Sequence, residues 1–485
     1  MNYLLSFAGA LALTLCIPQL TAGADLDAEL IRAARNGDPK QVAQLLASGA
    51  NVNARDTVRP NIGRTPLHFA AGGYNDQGPG LHLEAASVLV AKGADVNAQA
   101  EGGYTPLHVA SGVGNEAMVA FLLSRGANPN AVDVRATPLS AAIIQGNLSI
   151  VKLLLANGAD VNAVAGKPGD RPIDLIGTPA SWRPDHDAIF FALLDAGADV
   201  RPLEKRGNPL RTAVYRGRSK LALKILNKGG IVDAFVVQEV GDKSDREVAD
   251  DLVRRNVKVF TGEGIGSTLL HGAACTGNPG FLEWVLSRTP DVNVRGIEGK
   301  TAMHRAVSCV NEEAIAALIA RRADVNRKDA KGRAPINDFY GADLAPSAKR
   351  LLDAGANPNS FGDDGTTALM SAVYVDDADF ARLLISRGAN PNLKDRNGNT
   401  ALHEAVRLRK VETARVIFEA KDLRVDERNG RGETALHIAA LYDISELIPT
   451  LRARGADRSL RTPAGKTALE IADGLGRKRA ADLLR

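Results

Sequence analysis

One tetrapeptide pattern, returning at an almost fixed interval, constrains this chain more than any other feature. Thr65-Pro66-Leu67-His68, Thr105-Pro106-Leu107-His108, Thr400-Ala401-Leu402-His403 and Thr434-Ala435-Leu436-His437 stand in equivalent surroundings. Looser versions begin at Thr137, Thr268, Thr301, Thr367 and Thr467, and degenerate ones near Arg171, Asn208 and Ala334. From Thr268 onward the steps are 33, 33, 33, 33, 34 and 33 residues. Such a period means that one small supersecondary unit is copied, and that no copy can bury its apolar face alone. A chain of 485 residues would otherwise suggest about three globular domains.

Each part of the unit has a physical role. The Thr side chain can cap a helix, and Pro fits the first turn, where its missing N–H costs nothing. Small pairs such as Ala70-Ala71 let neighbouring helices approach closely. An apolar run such as Val151-Lys152-Leu153-Leu154-Leu155 predicts a second helix. The motif Gly93-Ala94-Asp95-Val96-Asn97 and its copies from Gly126, Gly158, Gly355 and Gly388 follow the anchors by about 22 residues. There Gly ends the second helix in the left-handed region, and Asp and Asn supply turn chemistry. Only 4% of residues are aromatic, which suits short helices packed on Ala, Leu and Val better than a β sandwich.

The chain from about residue 26 to its end resembles the ankyrin repeat family, whose signature is this period and this Thr-Pro-Leu-His-x-Ala pattern. The resemblance implies an all-α solenoid of stacked helix–turn–helix units, with β-turn fingers projecting at right angles. It also implies a concave face, made of fingers and first helices, that binds other proteins.

The ends and the irregularities divide the chain further. Leu4 to Ile17 is apolar, Pro18 should end any helix, and Ala22-Gly23-Ala24 precedes the first charge, Asp25. That reads as a secretory signal of bacterial type, cleaved after Ala24, in a run too short to span a bilayer. Its n-region lacks Lys and Arg, and Leu15 before Cys16 is too large for a lipoprotein signal. The expected organisation is a signal at 1–24, a first array at 25–230, a degenerate repeat at 231–264 and a regular array with a cap at 265–485. Asp233–Val240 and Asp245–Arg255 are the candidate helices of the degenerate repeat. Two insertions, at 72–80 and 178–184, fall between the helices of their repeats. They carry Tyr74 and Trp182 and should emerge on the same edge. Trp284, in the run Phe281–Leu286, is expected in the core.

Chemistry is scarce. Six of the eight His, at 68, 108, 271, 304, 403 and 437, occupy the same repeat position. Neighbours in that row stand about 8–10 Å apart, too far to share one Zn, so they are expected to hold turns. His82 and His186 lie outside the motif without a completing cluster. The glycines of Gly262-Glu263-Gly264-Ile265-Gly266 match no complete phosphate-binding motif. No nucleophile motif stands in a strand–turn–helix context. Catalytic residues, metals and cofactors are therefore expected to be none. Cys275 and Cys309 lie in adjacent repeats, seven and eight places after their Thr. A disulfide between them is open, because equivalent positions are too far apart unless the offset and helix tilt close the gap.

These readings point to a monomeric, periplasmic or secreted protein that binds another protein. A net charge of +4, with 60 basic and 56 acidic residues interspersed, gives no basic face for nucleic acid. No membrane contact is expected after cleavage. Candidate contact residues are the variable finger and first-helix positions Arg64, Tyr104, Arg135, Lys300, Arg305, Asn399 and Glu404, with Tyr74 and Trp182 in the insertions. The role would be scaffold, inhibitor, immunity protein or host-directed effector. The rival is an enzyme, or an enzyme-targeting subunit, with its chemistry in 231–265.

Overall fold

A computed structural model describes residues 17–73, 79–134, 136–165, 170–177, 185–202, 208–262, 265–341 and 344–485, with the backbone alone at 17–25 and 79–81. Among these residues the chain is an all-α series of helix pairs without extended strands. It divides into two compact units. One comprises Met1–Thr212 with Leu223–Ile231, the other Ala213–Ala222 with Val232–Arg485.

Each repeat begins as its chemistry dictates. At Thr65, Thr105, Thr268, Thr301, Thr400 and Thr434 the backbone is extended, the next residue opens a helix, and a reciprocal capping box joins Thr to the His three places on. Pro66, Pro106 and Pro138 occupy the first turn. Asn or Asp caps the second helix in most repeats, as Asn115, Asn147, Asn311 and Asp377 do. Leu67, Ala70 and Ala71, and their counterparts Leu107 and Ala110, are fully buried. Burying one such leucine contributes roughly 1.5–3 kcal/mol, against about 0–1 kcal/mol for an exposed ion pair, so stacking dominates.

The fingers are tied to one another in two ways. Asn97 Nδ2 donates to the Gly126 carbonyl at 3.0 Å, and the Asn128 amide donates back to Asn97 Oδ1 at 2.7 Å. The exchange recurs at Asn130, Asn326 and Asn359. The finger backbones also pair, through Ala330 N to Glu298 O, Asp363 N to Lys331 O, Arg396 N to Asp364 O and Gly430 N to Asn397 O, at 2.8–2.9 Å. The next residue in that series is Pro463, which has no N–H, so the series stops there.

Several expectations are corrected. Pro18 does not end a helix, since the helix Ile17–Asn36 continues past it. The first helix shrinks to a 3-10 turn at Pro172–Gly177 and at Pro335–Asn337. The two helices expected in the degenerate repeat do form, as Ala234–Asp242 and Arg246–Arg254, and the second unit begins there, at Val232, apart from its 213–222 segment. Trp284 is half-buried, not core. Its ring lies under the Arg246 guanidinium at 3.9 Å, with Arg288 at 5.1 Å.

Ala234–Asp242 packs closely on Leu269–Ala273, where Gly241 faces Gly272. A Cβ on Gly272 would collide with the Gln238 carbonyl and the Asp242 amide. Gly272→Ala should therefore cost about 1–3 kcal/mol in urea-induced unfolding. A variant as stable as the parent would show that the two helices can separate freely.

Candidate protein-binding face

The repeated His is the place to test for chemistry first, and each of the six is buried. Its Nδ1 accepts the backbone N–H of its own Thr at 3.0–3.2 Å. The ring must then carry its proton on Nε2. That N–H donates onward to the Tyr104, Ala136, Lys300, Arg333 and Glu433 carbonyls from His68, His108, His271, His304 and His403. His437 donates to the Leu460 carbonyl. Burial lowers the pKa of every one, His68 and His271 to about 4. Both ring nitrogens are used, and the rings are structural pins. Of the two His outside the motif, both are buried, and His82 Nε2 bonds the Arg35 carbonyl at 3.2 Å.

One buried cluster, His304, Asp329 and Asp338, has ligand-type atoms within 4.8 Å of one another. It does not fit a metal. His304 has no nitrogen to spare, and Lys300 already supplies the cation, its Nζ 2.9 Å from Asp338 Oδ2. Asp338 is 0% exposed, and no hydrogen-bond donor is aligned on either of its carboxylate oxygens. Lys300, expected as a contact residue, is half-buried and pairs with Asp338, whose carboxylate would cost several kcal/mol if left buried and unpaired.

The other sequence-derived contact residues divide in the same manner. Arg64 and Tyr104 come together, the guanidinium 5.5 Å from the ring centroid, and Tyr104 stacks on His108 at 5.4 Å. Arg305 reaches back past Gly272 to Asp242 at 2.9 Å. Asn399 Nδ2 donates to Glu404 Oε1 at 2.9 Å, and Arg407 closes on Glu404 Oε2. Glu404 is only 2% exposed, so it is corrected from a contact residue to the buried anchor that orients Asn399 and Arg407. Tyr74, Arg135 and Trp182 lie outside the described residues.

Sequence reasoning missed a second set. Tyr340, Tyr374 and Tyr442 are 52%, 42% and 42% exposed. They stand six, seven and eight places after their anchors, Tyr374 and Tyr442 at the ends of first helices and Tyr340 in the loop after its 3-10 turn, and Arg407 occupies the equivalent place between the last two. The Tyr374 phenol is pushed up to about 12 by partial burial, aided by Glu404 and Asp395. Arg333 Nη1 donates to Tyr340 Oη at 3.2 Å. The available signal was an aromatic at the helix-ending position in a chain with few aromatics. Cys275 and Cys309 occupy the same positions in their repeats, and their sulfurs are bonded, with Cα atoms 5.4 Å apart.

Comparison with known proteins adds the following. A family model described as ankyrin repeats, in three copies, matches residues 30–133, 80–165, 237–329 and 340–429. Alpha-latrotoxin-Lt1a of Latrodectus tredecimguttatus is 34% identical over 118 residues, 24% of this chain and 8% of the toxin. Rabankyrin-5 of Homo sapiens is 32% identical over 128 residues, 25% of this chain and 10% of that protein. Protein phosphatase 1 regulatory subunit 27 of Mus musculus is 34% identical over 99 residues, 20% of this chain and 58% of the subunit.

Two measurements test this geometry. Each His is neutral in the fold, with its pKa below the ordinary 6.5, so its contribution is complete above that value. For His68 and His271 it is lost as pH falls from 6.5 toward about 4, because the unfolded chain takes up protons that the fold refuses. The free energy of unfolding should decline over that window, at a slope on the order of 1.4 kcal/mol per pH unit for each of these two His, and the melting temperature should fall with it. Replacing His68 and His271 by Asn should flatten the decline, and an unchanged slope would refute the assignment. Separately, Lys300→Met should cost about 3–5 kcal/mol, and adding Asp338→Leu should recover most of it, read by chemical denaturation.

Proposed function

The chain belongs to the ankyrin repeat family, and from that premise we propose that it is an exported scaffold that binds and regulates another protein. The family is one of protein-interaction scaffolds. The observation that carries the reading is the exposed run Tyr340, Tyr374, Arg407 and Tyr442 at corresponding places in four successive repeats of the second unit. Tyr and Arg anchor interfaces because each offers a large contact area with a polar tip, at small entropic cost. Around them the surface alternates in charge, as Arg333–Asp364 and Lys410–Asp376 do, which favours a mixed polar protein surface over a polyanion.

Two features favour export. The leading apolar stretch, Leu4 to Ile17, has the length of a signal core. The Cys275–Cys309 bond suits an oxidising compartment. The bacterial reading of the leader rests on the leader alone, since the relatives above come from a spider and from mammals. One relative is by name a regulatory subunit of a phosphatase, and that supports an enzyme as the class of partner, with inhibition as the role we favour. Two ordinary repeat helices occupy the stretch that the catalytic rival would need.

Affinity capture on the chain from Asp25 onward, followed by binding measurements on the purified partner, tests the proposal. Tyr374→Ala with Tyr442→Ala should weaken that binding by roughly thirtyfold or more. Unchanged affinity in a folded double variant would move the contact surface elsewhere.

A further inference from the structure

The turn between the two helices of a repeat is nearly invariant. Nine places after the anchor stands a residue with left-handed φ: Gly114, Gly146, Gly217, Val310, Asp376, Arg409, Asp443 and Gly476. The next residue's amide then bonds the carbonyl five places back, as Asn115 to Ala110, Asn311 to Ala306 and Arg477 to Ala472, at 2.8–3.0 Å. This is the usual C-terminal closure of a helix.

The repeat that starts at Thr268 departs from this rule. Its first helix has five residues, Leu269–Ala273. Gly277, nine places after Thr268 and the residue best suited to a left-handed cap, is not left-handed. The Asn278 amide bonds Thr276 Oγ1 at 3.1 Å in place of the Ala273 carbonyl. Cys275, which elsewhere would sit in the last helical turn, joins Cys309 of the next repeat instead, at a Cα separation of 5.4 Å. The helix therefore stops at Ala273, two residues before the cysteine that crosses to the next repeat. Nothing stands within 4 Å of where a Gly277 side chain would begin, which leaves room for the turn to change. Cys309 is exposed, and a reductant can reach it.

We propose that the Cys275–Cys309 bond is a redox switch of this turn. Bonded, it holds the helix short and Gly277 out of the left-handed region. Reduced, the helix extends toward Thr276, Gly277 takes the left-handed cap, and the Asn278 amide bonds the Ala273 carbonyl. The reductant is a dithiol. One of its thiolates attacks the Cys309 sulfur, and Cys275 leaves as a thiolate and takes a proton. The second thiol of the dithiol then displaces Cys309 from the mixed disulfide. Two electrons and two protons pass to the chain, and the dithiol ends as a disulfide. The switch is independent of what the chain binds. Its cysteines stand seven and eight places after their anchors, the places that Tyr374 and Tyr442 hold in later repeats.

Gly277→Ala separates the two states, because alanine is strained only in the left-handed turn. In the full chain the substitution should leave the melting temperature of the oxidised protein unchanged. It should lower that of the dithiothreitol-reduced protein, and of the Cys275→Ser, Cys309→Ser variant, by about 2–4 °C. Gly476→Ala, left-handed without a nearby cysteine, should lower both states alike. Backbone chemical shifts of Ala274–Thr276 should turn helical on reduction. An equal effect of Gly277→Ala in both states, unchanged shifts, or two free thiols in the unreduced, denatured protein would overturn the proposal.

Discussion

The bond from each buried imidazole to a carbonyl of the following repeat is the interaction on which the rest depends. One ring does two things at once. Nδ1 closes the cap of its own helix, and Nε2 fastens the next unit, as His304 does between Thr301 and the Arg333 carbonyl. Because no repeat has a complete core, a cap that also reaches the neighbour makes local folding and stacking one event. The neutral ring suits a dry site, since a charged one would carry a desolvation penalty. Where the His is absent, other chemistry does the same work. Asn337 receives the Ala334 amide through Oδ1 and donates Nδ2 to the Ser360 carbonyl. Arg171 and Asp174 form a fork, with Arg171 Nη2 reaching the Arg201 carbonyl.

The features of interest gather where the repeat lapses. At Pro335–Asn337 the first helix fails to continue past Asp338. The loop that follows holds a buried carboxylate matched to Lys300 and an exposed Tyr340. At Leu269–Ala273 the helix stops early, and a disulfide crosses to the next repeat. A regular unit has no slack for such groups, because its inner positions are filled by Ala and its turn by a left-handed residue. Shortening the helix releases a few residues from those demands.

Most of the scaffold was legible before any coordinates. Thr, Pro, His, the Ala pair and Gly each enforce one local geometry, and the period carries that geometry along the chain. The candidate face was legible only in part. Lys300 and Arg305 are variable, charged and near the fingers, which marks them as contacts. Yet their partners, Asp338 and Asp242, lie 38 and 63 residues away and follow no motif. Glu404 failed as a contact because Asn399 and Arg407 surround it. Tyr374 and Tyr442 were passed over because their exposure depends on where each helix ends.

The sequence by itself determined the unit, its period, its caps and its small inner residues, because those are effects within a few residues of chain. Tertiary structure alone decided which charges are spent internally, which aromatics stay in solvent, and that Cys275 meets Cys309. Those outcomes depend on distances between repeats. A single shortened helix changes such distances without altering the pattern that announces the repeat.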